Sequence, residues 1–289
     1  MTKRKIAVVT DSTAYIPPEQ SEEHQIPVIP LWLIWDGERY RDGVDIEPPT
    51  FYRRLENAET MPTTSQPSTG EFIEFFKSVS ETADAIICVF ISSKLSGTVA
   101  NAQAAKEQLP DIPIRIVDSL STSMGQGFAA LAAARAAEEG KSLEEVVHVA
   151  ERVRDRTHVL FAVDTLEYLH KGGRIGGAQR LLGTALNIKP LLHLEEGRID
   201  ALTKVRTKKR AIKRMLDIVE ERLNGDRIAE AAVLDVASPE DGDRVAREVG
   251  KRFGLDQICR TKVSPVIGAH VGPGTVGICF YTEPVEPAL

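Results

Sequence analysis

The sequence predicts an α/β protein of two domains, an N-terminal parallel-sheet domain with helices on both faces and a C-terminal α/β domain with a mixed sheet. Three observations lead there. Apolar runs of strand length alternate with helical stretches through the first half, the pattern of βαβ units. The second half carries a hairpin signal beside its helices, which a purely parallel sheet would not contain. The 289 residues also sit where single cores stop growing and chains divide. The expected division is 1–156 and 157–289.

Residues 5–9 are apolar and β-branched, and they end in Thr10-Asp11-Ser12-Thr13, a cluster that caps or turns. Residues 85–91 form one continuous apolar run, as in a strand buried on both faces. Ser92-Ser93-Lys94-Leu95-Ser96-Gly97-Thr98 follows, then a helical stretch over 99–108. Residues 112–117 repeat the device, ending at Asp118-Ser119 before an alanine-rich helix over 128–139. Leu143, Val146, Val147, Ala150 and Val153 set a helical period over 142–156, the bridge into the second unit. There a strand over 158–163, a glycine-rich loop over 172–177 and a helix over 178–187 are expected. Two runs, 188–194 and 199–205, are joined by Glu195-Glu196-Gly197-Arg198 and read as a hairpin. A helix over 208–223, a strand over 228–236, a helix over 239–253 and two final strands finish the unit.

Composition excludes several classes. Hydrophobic residues at 42% and charged residues at 27% rule out a disordered tail, a collagen-like repeat and a small disulfide scaffold. The longest apolar stretch, residues 26–35, is broken by Pro27 and Pro30 and is too short to span a bilayer. The run after Lys3, Arg4 and Lys5 ends at Asp11, too early for a secretory segment, so a cytoplasmic location is expected. Cys88, Cys259 and Cys279 lie in apolar runs without metal-ligand spacing, as buried thiols do. Residues 1–150 hold 13 Lys and Arg against 22 Asp and Glu, and the remainder 23 against 20. Neither half has the basic excess of a nucleic-acid binder.

Several segments bear chemistry, each with a plain alternative. Ser68 and Glu71 have capping-box spacing at the start of a helix over 70–80. Thr64 and Ser65 lie too far upstream to cap it, and Pro67 holds Gln66 extended. Ser96-Gly97-Thr98 opens a helix after a strand, where ligands of open α/β sheets sit and free N–H groups attract anions. Gly272-Pro273-Gly274-Thr275-Val276-Gly277 matches the dinucleotide pattern by letters only, because no helix can follow it. Its glycines instead let backbone approach closely around His270, itself either structural or functional. The basic run Lys204 to Arg210, with Lys213 and Arg214, reads as a solvated face or as a dock for an acidic or phosphorylated group. Arg174, between two glycine pairs, has the same two readings. No P-loop, HExxH or GxSxG signature occurs.

In Val9-Thr10-Asp11-Ser12-Thr13, Thr64-Ser65-Gln66-Pro67-Ser68, Ser92 to Thr98 and Val117-Asp118-Ser119, the chain resembles the DegV family. Tyr168-Leu169-His170-Lys171-Gly172-Gly173-Arg174, Lys204-Val205-Arg206 and His270 to Gly277 extend the resemblance over nearly the whole length. The resemblance implies a long-chain fatty acid held between the two domains. It also implies a lipid-presenting subunit of a bacterial fatty acid kinase, without an ATP site, cofactor, metal or catalytic residue of its own. A separate ATP-binding subunit would phosphorylate the carboxylate, and the acyl phosphate would pass to an acyltransferase at the membrane surface for phospholipid synthesis. Carried over by motif, Thr64, Ser96 and His270 would hold the carboxylate, with Ser65 and Thr98 beside them. Arg174 and Arg206 would face the kinase or the incoming phosphate. The alternative is a stand-alone hydrolase or small-molecule enzyme using Ser96 and His270, for which no third orienting residue is legible.

The energetics of a lipid reading are coherent. An acid of about 16 to 18 carbons buries ~14 methylenes, worth ~11 kcal/mol before ordering costs. A hydroxyl contact adds only about 0.5–1.5 kcal/mol.

Overall fold

The computed structural model describes residues 4–183 and 188–284. The chain opens with β1 (Arg4–Asp11), α1 (Pro18–Glu23), β2 (Val28–Ile29), β3 (Trp32–Trp35), β4 (Glu38–Arg41), α2 (Pro48–Glu56) and β5 (Thr63–Ser65). Next come α3 (Thr69–Ser80), β6 (Ala83–Phe90), α4 (Thr98–Glu107), β7 (Ile114–Asp118), α5 (Met124–Glu138) and α6 (Leu143–Asp155). The second half holds β8 (Thr157–Ala162), α7 (Glu167–Lys171), β9 (Lys189–Glu195), β10 (Arg198–Val205) and α8 (Lys208–Leu223). It ends with β11 (Arg227–Asp235), α9 (Pro239–Phe253), β12 (Cys259–Lys262), α10 (Pro265–Val271) and β13 (Val276–Glu283).

Strands β2-β1-β6-β7 form a parallel sheet in that order. Side chains alternate across it, so each face finds its own helices. Ala7, Val9, Ile86, Cys88 and Phe90 pack on Phe72, Phe76 and Val79 of α3 and Ala102 and Ala105 of α4. Val8, Ile87, Val89 and Val117 turn the other way, toward α5 and α6. The six-stranded sheet runs β10-β9-β8-β13-β11-β12, antiparallel except for its β11–β12 edge. Its outer face packs on α8 and α9 through Leu160, Leu191, Ile278 and Phe280. Its inner face joins the same apolar core as α5.

Helix α5 therefore lies between the two sheets. Its run of alanines explains how: a helix that is apolar all round, with small side chains, can be covered on every face. The strands of the parallel sheet all precede Arg156, and those of the six-stranded sheet all follow it.

Three local features change or add to the expectations. Residues 26–35, read only as too short for a membrane, supply β2 and β3. Strand β3 joins β4 and β5 in a separate antiparallel sheet, ordered β4-β3-β5. The signal was present in Asp36-Gly37, whose φ values of 53° and 84° make the tight turn between β3 and β4. The helix expected over 178–187 starts instead as a 3-10 turn, Gly176–Leu181, and residues 184–187 lie outside the described ones. Between the two final strands stands α10, with Ser264 capping Ile267 N–H, Pro265 in its first turn and Gly272 at φ 76° after its end.

Candidate functional site

The site grows from loops at the carboxyl ends of the parallel strands. Asp11 ends β1 fully buried and accepts hydrogen bonds from Thr13 N (2.9 Å) and Ile91 N (2.8 Å). Burial still raises its carboxyl pKa, against the pull of these bonds. Asp118 ends β7 and accepts from Ser93 N (3.2 Å) and Leu120 N (3.0 Å). The loop after β6 is thus pinned from both neighbouring strands. It carries Ser96, whose Oγ lies 2.9 Å from Oγ1 of the buried Thr98. The Gln66 side chain crosses close over Gly97, where a Cβ would come within 2.9 Å of its amide.

Thr64 comes from β5, held opposite Leu33 of β3. Its Oγ1 lies 2.8 Å from Nε2 of His270, at the last turn of α10. Nδ1 of His270 is buried and has no hydrogen-bond partner among the described residues. It sits against Gly172, where a Cβ would lie 2.2 Å away. Burial, and then the charge of Arg174, pull the His270 pKa down to about 4, so the imidazole is neutral at pH 7. Arg174 is fastened by its backbone contacts, donating from Nε to Leu95 O (3.2 Å) and from Nη1 to Gly172 O (2.8 Å). These bonds span from the Ser96 loop to the residues after α7.

Thr64, Ser65, Ser96, Arg174 and His270 all line one cavity between the two sheets, with Gln66 beside them. Thr98 is not in its wall; its Oγ1 reaches Ser96 instead. Arg206 follows β10, exposed, and does not line the cavity. The rest of the wall is mostly apolar, with Leu31 and Ile91 facing Val159, Phe161, Ile199 and Leu234. The cavity volume is about 80 Å³, little for a wall of so many side chains. The bore is narrow. A second cleft, between Tyr15, Tyr52 and Pro239, gives water about 650 Å³ and is rimmed by charges.

An apolar bore closed by hydroxyls, an imidazole and one guanidinium suits a linear aliphatic chain with an acidic end. No cluster of three metal-ligating side chains occurs among the described residues. Ser96 hydrogen-bonds with Thr98, and His270 with Thr64.

One supporting residue escaped the sequence reading. Asp42, 1% exposed, accepts from Ser12 Oγ (2.7 Å) and from Val266 N (3.3 Å) in the first turn of α10. Burial pushes its carboxyl up to about 7. Arg41-Asp42-Gly43 reads locally as a turn, and nothing in it announces a partner 224 residues away.

Comparison with known proteins agrees with this architecture. The model of the DegV family, described as one of uncharacterised proteins, matches residues 5–283. A solved DegV family protein from Thermus thermophilus, described as binding fatty acid, is 37% identical over 96% of this chain and all of its own, with a TM-score of 0.91. The fatty acid binding protein DegV of Bacillus subtilis is 35% identical over 97% of this chain and 100% of its own, with a TM-score of 0.89. A stearic-acid-binding protein from Eubacterium ventriosum is 26% identical over 98% of each chain, with a TM-score of 0.87.

Proposed function

The chain belongs to the DegV family, and on that premise we propose that it binds a long-chain fatty acid and presents the carboxylate to a separate kinase. The observation that carries this reading is the narrow, mostly apolar cavity whose wall brings Thr64, Ser96 and His270 together. The tail would lie between lobes 1–156 and 157–289, and the carboxylate would sit among the hydroxyls. The fatty acids bound by the Thermus, Bacillus and Eubacterium relatives support the same ligand class here.

Hydroxyls orient a carboxylate without neutralising it as an arginine fork would, so its oxygen keeps its nucleophilicity. In the proposed step that oxygen attacks the γ-phosphorus of ATP on the partner subunit. An acyl O–P bond forms, the bridging P–O bond breaks, and ADP leaves. The mixed anhydride then passes to an acyltransferase at the membrane surface. Arg174, already in the wall, would meet the phosphate, and exposed Arg206 would meet the kinase. A cytoplasmic location belongs to this reading, and no helix among the described residues is long and apolar enough to cross a membrane.

The test is organic extraction of the purified protein with mass spectrometry of the extract. A long-chain fatty acid at near one per chain is expected; protein that neither carries nor takes up any fatty acid overturns the reading. For the docking role, Arg206→Ala should lower kinase-dependent phosphorylation while lipid stays bound. Undiminished turnover removes Arg206 from the scheme.

A further inference from the structure

We infer that Gly277 sets the bore of the cavity partway along the acyl chain and so decides which chains pass; the inference rests on the fatty-acid reading above. Gly277 lies in β13, a central strand, directly between Leu234 of β11 and Phe161 of β8. All three residues line the cavity. Its neighbours Val276 and Ile278 point the other way, into the core under α8 and α9. By alternation position 277 faces the cavity, and it carries no side chain.

Glycine weakens the interior of a strand and commonly marks close approach by a ligand or another backbone. Conformation does not demand it here, unlike Gly272 and Gly274, whose φ values are 76° and 78°. Space does. A Cβ at 277 would lie 2.8 Å from Leu160 O and 3.0 Å from Cβ of Phe161. These atoms belong to the adjacent strand β8, so β8 must give way or the added side chain must lean into the cavity.

Position along the bore follows from register. The loop from His270 to Thr275 leads directly into β13, so Gly277 is close to the polar end. Val159, also in the wall, lies two residues further along β8, opposite Cys279. A chain anchored at His270 and reaching Val159 must cross Gly277. A side chain there leaves room for the first carbons and bars the rest.

The test is calorimetric binding of octanoic, dodecanoic and octadecanoic acids to delipidated wild type, Gly277→Ala and Gly277→Val. Wild-type affinity should climb with length. Gly277→Val should bind octadecanoic acid at least about 10-fold more weakly and octanoic acid within about 2-fold, Gly277→Ala falling between them. A folded variant with the wild-type length dependence overturns the inference, whereas a wild type that binds none of the acids overturns the fatty-acid reading instead. Should both variants unfold, Phe161→Ala widens the same point from the opposite strand. It should favour methyl-branched over straight octadecanoic-length chains relative to wild type, and an unchanged preference overturns the inference.

Discussion

The polar and apolar parts of the cavity wall are made from different material. The polar part is assembled from loops and helix ends scattered through the chain, with Thr64 on β5, Ser96 after β6, Arg174 after α7 and His270 on α10. Acids fasten it: buried Asp11 and half-buried Asp118 hold the Ser96 loop, and buried Asp42 holds the first turn of α10. Much of the apolar length is one face of a sheet, with Val159, Phe161, Ile199 and Leu234 placed by strand alternation alone. A sheet face supplies area cheaply and without fine positioning. Hydrogen-bonded loops supply geometry and little area. Affinity should therefore reside along the sheet and orientation at the loops.

The largest expected effect tests the sheet side. Shortening the acid from 18 to 12 carbons should cost about 5 kcal/mol, roughly several-thousand-fold in affinity, at about 0.8 kcal/mol per CH₂. Calorimetry with a saturated series measures it; a flat series would erase the distinction between the two parts.

Next in size is the scaffold of the polar part. Asp42→Ala strands the Ser12 hydroxyl and the Val266 N–H, and each unpaired buried group costs about 1–3 kcal/mol in denaturant unfolding. The acid also imposes a pH dependence. Its carboxyl, ordinarily near 3.8, stands at about 7 in the folded chain, so the fold holds a proton that the unfolded chain has released. That contribution is complete below 3.8, is lost as pH rises through 7, and amounts to about 4 kcal/mol. His270 has the opposite sign: with its pKa drawn down to about 4 from 6.5, its share of stability is lost as pH falls between those values. Unfolding measured from pH 5 to 8 should show Asp42→Asn with a flatter alkaline loss than wild type.

Smaller effects separate orientation from affinity. Thr64→Ala or Ser96→Ala should weaken fatty-acid binding by only about 0.5–1.5 kcal/mol, or ~2- to 10-fold. Phosphorylation with the kinase partner should fall further than that. Equal losses in paired assays would show that the hydroxyls hold rather than aim.

The smallest effect lies outside both parts. Ser68→Ala removes a capping box seen in full at α3, costing about 1 kcal/mol of stability with lipid affinity unchanged.

What could be read from the sequence followed the range of each interaction. The buried run of β6, the capping box at Ser68, the helical period after Ser142 and the turn at Glu196-Gly197 are local, and each stands where expected. The sheet of β3, β4 and β5 went unseen because its strands are three or four residues long and give periodicity too little to act on. At the site, Thr64 and His270 are 206 residues apart, and only motif resemblance brought them together. Asp42 had neither a local signal nor a motif. Its role exists only after β4 and α10 meet.

The placement of α5 has one more consequence. Because its alanine faces are glued to both sheets at once, the molecule cannot yawn like a clam shell without tearing a seam of its own core. A guest must thread in and out lengthwise, past side chains that step aside in turn, so exchange should be slow in proportion to the length of tail that has to be drawn through.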